Sequence, residues 1–101
     1  MIIIERMIQK IYPGKLDALN EIDKRFEVVE KGLGFPTKKR LAPVSGTLDM
    51  NTIVIEREWE SLAAMEEAYT RGFASPEQQA LIAELNDIVK SSRIELFMPM
   101  L

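Results

Sequence analysis

An α+β fold, one four-stranded antiparallel sheet with helices on a single face, is what the sequence predicts, and three observations predict it. Three runs rich in apolar residues and one weaker, proline-interrupted run are separated by turn signals. Apolar residues recur at helical spacing in the intervals between the first and second runs and between the third and fourth. Helices in those two intervals can cover only one face of the sheet, so the other must be polar or find a partner.

Residues 2–11, IIIERMIQKI, are rich in β-branched side chains and run into Tyr12-Pro13-Gly14, which marks a first strand and its end. Pro13 suits the first turn of a helix. Leu16, Leu19, Ile22, Phe26, Val29 and Leu33 then follow at three- or four-residue steps, with Asp17, Glu21, Lys24 and Glu27 elsewhere on the surface. Gly32 and Gly34 supply the stop, since glycine enters left-handed conformations cheaply. Phe35 to about Val44 is a weaker strand, interrupted by Pro36 and Pro43, which suits an edge or a bend. Ser45-Gly46 through Asn51 is a turn region, and Thr52 to Trp59 a third strand. Ser61 caps a short helix, LAAMEEAY, that ends at Gly72. Ser75-Pro76-Glu77-Gln78 opens a last helix, with Leu81, Ile82, Leu85, Ile88 and Val89 on its apolar face and Lys90 at its negative end. Arg93 to Met98 closes the chain as a fourth strand. The order β-α-β-β-α-α-β is ferredoxin-like, with one extra short helix.

A chain of 101 residues makes a single domain, 1–101, and buries only about two-thirds of the surface its unfolded form exposes. The absence of cysteine fits a reducing compartment. The apolar N-terminal run stops at Glu5 and Arg6, too short for a signal peptide or membrane span, so a cytoplasmic protein without a membrane partner is expected. A net charge of −3 lacks the field that neutralises phosphate backbones, which argues against nucleic acid. RNA-recognition motifs share this element order but stack bases on strand aromatics, where strands one and three here carry aliphatic residues. With neither histidine nor cysteine, soft-metal sites and nucleophilic triads are excluded, and neither a metal nor a cofactor is expected.

The strands are too apolar for one wet face. Ile2, Ile4 and Ile8 point one way and Ile3, Met7 and Ile11 the other; Ile53 and Ile55 oppose Val54, and Ile94 and Leu96 oppose Phe97. Leaving such side chains in water forfeits roughly 1.5–3 kcal/mol each, so a two-fold homodimer that stacks sheet on sheet is expected. Glu5, Gln9, Glu56, Glu58 and Glu95 would otherwise allow a merely mixed exposed face.

Two stretches carry a family resemblance: Tyr12-Pro13-Gly14-Lys15 after the first strand, and Glu56-Arg57-Glu58-Trp59-Glu60-Ser61-Leu62-Ala63 across the end of the third. The chain resembles the dimeric α/β-barrel superfamily, especially its NIPSNAP-like and antibiotic-biosynthesis-monooxygenase-like families. There a Pro-Gly-Lys element opens helix one, and a Trp preceded by acidic residues ends strand three before an Ala-rich helix. The resemblance implies a dimer whose sheets face each other and a small-molecule pocket between each sheet and its own helices. Some of those families oxidise polycyclic aromatics without a cofactor and some degrade haem. Several of the enzymes place a histidine near the pocket; its absence here speaks against haem degradation and against a borrowed monooxygenase mechanism.

Four residues are candidate ligand contacts, and no catalytic residue is assigned. Trp59 can wall a pocket and stack on a planar ligand, or simply pack under the next helix. Arg57 shares its face and can bind a carboxylate or phenolate if that face meets the helices; otherwise it pairs across a dimer seam. Arg6, amid apolar neighbours in a central strand, needs a Glu or an anionic ligand. Tyr69 offers a phenol. Glu56 and Glu58 share the face opposite Arg57, as acid/base pair or as partners for Arg6 and Lys10. Lys38-Lys39-Arg40 is the only basic run and is expected to be a solvated edge. The functional expectation is a dimer that binds a small aromatic or anionic molecule between sheet and helices. A cofactor-independent monooxygenase- or isomerase-type enzyme on an aromatic or lactone substrate, and a structural dimer with a filled core, are the alternatives.

Overall fold

The computed structural model describes residues 1–100. β1 (Ile3–Ile11) lies in the sheet between β3 (Thr52–Trp59) and β4 (Val89–Phe97), and the short β2 (Lys39–Leu41) flanks β3, giving the order β2-β3-β1-β4. Every pairing is antiparallel. α1 (Leu16–Gly32), α2 (Leu62–Ala74) and α3 (Pro76–Glu84) follow the β-α-β-β-α-α-β order expected of a ferredoxin-like fold.

Pairing register decides which side chains share a face. Glu5 stands opposite Arg57 on β3 and Leu96 on β4, and Met7 opposite Ile55 and Ile94. Ile3, Glu5, Met7, Gln9 and Ile11 therefore line the inner face, beneath the helices. Their apolar members split into two clusters. One joins Ile11, Ile53 and Ile55 to Leu19, Ile22 and Phe26 of α1 and Leu81 of α3; the other joins Ile3 and Trp59 to Phe35 and Ala68. Ile4, Arg6, Ile8, Val54, Glu56 and Phe97 take the opposite, helix-free face.

Local chemistry explains where the elements begin and end. Gly14 sits at φ 79°, a left-handed conformation that no helix accommodates, so Tyr12-Pro13-Gly14-Lys15 forms a turn and α1 starts at Leu16, later than Pro13. At its other end the Phe35 N–H donates to the Glu30 carbonyl at 3.0 Å and the Gly34 N–H to the Lys31 carbonyl at 3.3 Å, with Gly34 at φ 83°. That is a Schellman stop, and it brings Phe35 back beside Glu30. β2 is far shorter than the expected strand from Phe35 to Val44, because Pro36 and Pro43 withhold ladder donors on either side.

α2 runs through Gly72 to Ala74, past its expected end. The Gly72 position faces the Phe35 ring, at a distance where a methyl group would make an ordinary contact. Ser75 ends α2 and caps α3, accepting from the Gln78 N–H at 3.2 Å. α3 stops at Glu84 in a single 3-10 turn, Leu85–Asp87, and Val89 and Lys90 already belong to β4. The helical spacing of Leu85, Ile88 and Val89 misleads here, because Val89 pairs with Ile11 in the sheet and Ile88 accepts the Tyr12 N–H at 3.0 Å. Lys90 accordingly sits at no helix terminus.

Candidate functional site

Between the two apolar clusters the inner face carries a polar layer. Glu5, 1% exposed, accepts from the Trp59 indole N–H at 3.1 Å and from the Tyr69 hydroxyl. Arg57, 5% exposed, faces it across the strands but turns its guanidinium to Glu30 of α1, at 2.7 Å. Glu30 also takes Lys38 at 3.1 Å; Lys38 bridges on to Asp23 at 2.5 Å, and Asp23 meets Arg40 at 3.3 Å. Arg57, Glu30, Lys38, Asp23 and Arg40 thus form one chain of alternating charge running from under α1 out to the β2 edge. A buried ion is tolerable only when paired in this way.

Lys38-Lys39-Arg40 is a solvated edge only in part: Lys39 and Arg40 are exposed on the edge strand, but the Lys38 side chain is buried. Parity puts Arg40 on the inner side of β2, beside α1, and Lys38 is buried in the charge chain. Glu5 and Gln9 likewise belong to the covered face and not to a wet one.

The aromatic side chains lie against this layer. Phe35 meets Trp59 edge-on at 5.5 Å and Tyr69 at 5.4 Å, and the Arg57 guanidinium sits 5.2 Å from the Phe35 ring centre. Burial, reinforced by the hydrogen bond to Glu5, holds the Tyr69 phenol well above its ordinary range. At neutral pH Tyr69 is therefore a donor, already given to Glu5, and not a base.

A cavity of about 240 Å³ opens between the sheet and the helices. Its apolar wall comes from Met7, Ile55 and Ile94 of the sheet and from Leu19, Phe26 and Leu85 above it; Arg57, Tyr69, Gln9 and Gln78 also border it. Among the described residues three buried polar atoms have no hydrogen-bond partner: the Arg57 Nε, the Gln9 side-chain oxygen and the Gln78 side-chain oxygen. All three residues line this cavity. An unpaired buried polar group costs about 1–3 kcal/mol, so three along one cavity wall make it the candidate site. Among the described residues no three His, Cys, Asp or Glu side chains gather as a metal cage requires. Asp23 and Glu30 are joined by Lys38 instead.

Of the four candidates, Arg57 and Tyr69 border the cavity. Trp59 lies one layer behind, packed among Phe35, Ala68 and Tyr69 under α2, where its indole helps hold Glu5. Arg6 is not part of the site. It points to the helix-free face, pairs with Glu56 at 3.1 Å and lies 5.0 Å from the Phe97 ring centre. The open choices for both arginines are thereby decided: Arg57 faces the helices, and Arg6 finds its partner in Glu56. Sequence reasoning missed Gln9, Gln78, Glu30 and Asp23. Gln9 had a signal, because it shares parity with Ile3, Met7 and Ile11.

An open four-stranded sheet with three helices on one face, holding an apolar cavity at a buried ion pair, is the class these features define. Solved structures share its fold. A NIPSNAP family protein of Agrobacterium tumefaciens aligns with a TM-score of 0.80 at 20% identity, over 98% of this chain and 86% of that one. An uncharacterised NIPSNAP domain protein of Burkholderia xenovorans aligns at 0.82 and 16% identity, over 97% and 94%. A Mycobacterium tuberculosis protein aligns at 0.72 and 12%, over 99% and 96%. No family model and no curated protein matches the sequence. At such identities the likeness shows the fold, which is the fold expected from the Pro13-Gly14-Lys15 and Trp59 elements. A further NIPSNAP family structure from Agrobacterium tumefaciens is itself described as of unknown function.

Proposed function

We propose that this protein binds a small, mainly apolar molecule in the cavity between sheet and helices, and does so as a homodimer. One observation carries the reading: a cavity of about 240 Å³ with apolar walls, bordered by Arg57, Gln9 and Gln78, each of which keeps a buried polar atom without a partner among the described residues. A dry cavity of about 150 Å³ takes benzene, so this one suits a ligand of roughly ten heavy atoms. Such a cavity argues against a purely structural core.

The dimer reading rests on the helix-free face. Leu41 and Phe97 are 44% and 42% exposed there, beside Ile4. The charges among them, Arg6 with Glu56 and Arg93 with Glu95, are already paired and need no partner from a second copy. β1, β3 and β4, about 4.8 Å apart and eight or nine residues long, with the three-residue β2 beside them, offer on the order of 450 Å² of flat area a side, the size of a small interface. A cysteine-free domain suits a reducing compartment, and the cytoplasm is the proposed one.

The enzyme alternative follows from the antibiotic-biosynthesis-monooxygenase-like side of the resemblance. It is the weaker reading: the Tyr69 phenol is held protonated and Glu5 has both its oxygens engaged, which leaves neither free to take a proton from a substrate. Thermal unfolding against bicyclic aromatic compounds tests the binder; a rise in Tm is expected, and no rise with any of them would overturn it. Oxygen uptake on mixing with a ligand that binds would favour the enzyme. Light scattering at micromolar concentration is expected to give the mass of two chains, and a stable monomer would end the dimer proposal.

A further inference from the structure

The geometry points to an uncharged ligand with a carbonyl-type acceptor at one end and a hydroxyl or N–H donor at the other, in preference to an anion. This rests on the binding reading above and gives it a chemical class. The cavity wall holds two cations, Lys38 and Arg57, and two carboxylates, Asp23 and Glu30, so its charges cancel. Arg40 adds a third cation beyond the wall and Glu5 a third carboxylate behind Tyr69, which keeps the balance. Arg57 is the residue that would invite an anion, yet Glu30 already occupies its guanidinium at 2.7 Å. An incoming carboxylate would lose its water without gaining a free counter-charge, and would face Glu30 across the same guanidinium.

What the wall does offer is neutral hydrogen bonding. The Arg57 Nε is a donor without an acceptor, and the oxygens of Gln9 and Gln78 are acceptors without a donor. Register sets Gln9 and Arg57 apart along the sheet, while Gln78, on α3, packs beside Gly72 and Phe35 toward the Arg57 end. Gln9 stands opposite Ile53, four residues from Arg57 on the same strand face, which is roughly 13 Å of strand. Met7 and Ile55 lie between them. A ligand that satisfies the wall is therefore polar at its ends and apolar in its middle.

Titration calorimetry on the full chain with three probes of similar size separates the possibilities: tetralin, a hydroxytetralone with ketone and hydroxyl at opposite ends, and tetralin carboxylate. The hydroxytetralone is expected to bind on the order of tenfold tighter than tetralin, and the carboxylate more weakly than either. In Gln9→Met the hydroxytetralone should fall toward the affinity of tetralin while tetralin itself is unmoved; Gln9→Leu serves the same purpose if the first variant does not fold. Tightest binding by the carboxylate, or equal affinity for all three, would overturn the assignment of ligand class while leaving the pocket standing. No binding by any probe would overturn both.

Discussion

Replacing Glu30 by Leu strikes the one residue that holds two buried cations at once. The Glu30 side chain is 12% exposed and those of Lys38 and Arg57 are 5% exposed. Lys38 keeps Asp23 at 2.5 Å when Glu30 is gone. Arg57 keeps no ionic partner, and its Nε is unpaired already. Removing one partner of a buried pair costs about 3–5 kcal/mol, because the other charge stays desolvated. For a domain of this length each kcal/mol moves Tm by about 4–8 °C, so Glu30→Leu should lower it by roughly 20 °C. Urea unfolding followed by circular dichroism gives the free energy directly. Glu30→Leu combined with Arg57→Met removes the stranded cation as well and should recover most of the loss. A single variant that loses under about 1 kcal/mol, or a double variant no better than the single, would refute the reasoning.

Tyr69→Phe takes one of two donors from the buried Glu5 carboxylate and should cost about 2 kcal/mol in urea unfolding. The folded phenol ionises above its ordinary value of 10.0, so the unfolded chain loses that proton first and the Tyr69 contribution is lost as pH rises past 10. The alkaline fall in stability should therefore be shallower in Tyr69→Phe, and an unchanged slope would contradict the burial of the phenol. Gly72→Ala places its methyl 3.5 Å from the Phe35 ring, an ordinary contact, inside a helix. It should stabilise by about 0.5–1 kcal/mol, and a loss of stability would mean that the ring stands closer than the geometry has it.

How far the sequence announced this arrangement depends on the range over which each feature is decided. Strand parity is local, and it groups Ile3, Met7 and Ile11 on one face of the first strand and Ile53, Ile55, Arg57 and Trp59 on one face of the third; register then makes these the same face. Cover is not local. Glu5 and Gln9 look like solvent positions until β1 proves central and inward-facing, with Trp59 and Tyr69 donating to Glu5 from 54 and 64 residues away. Lys38 looks like an edge charge until α1 supplies Asp23 and Glu30. Short-range signals also competed. The apolar spacing of Leu85, Ile88 and Val89 fits a helix, and only the pairing of Val89 with Ile11 turns the segment into strand. Gly72 is a plausible stop by residue type, yet α2 ends two residues later, where Ser75 turns extended.

The central claim is that a ligand enters between sheet and helices beside Arg57, and methyl-detected NMR during titration with the hydroxytetralone tests it most directly. The methyl groups of Met7, Leu19 and Ile55, which line the cavity, should shift in proportion to occupancy, while those of Ile8 and Val54 on the helix-free face stay in place. Shifts confined to Ile8, Val54 and Leu41, or none at saturating probe, would contradict it.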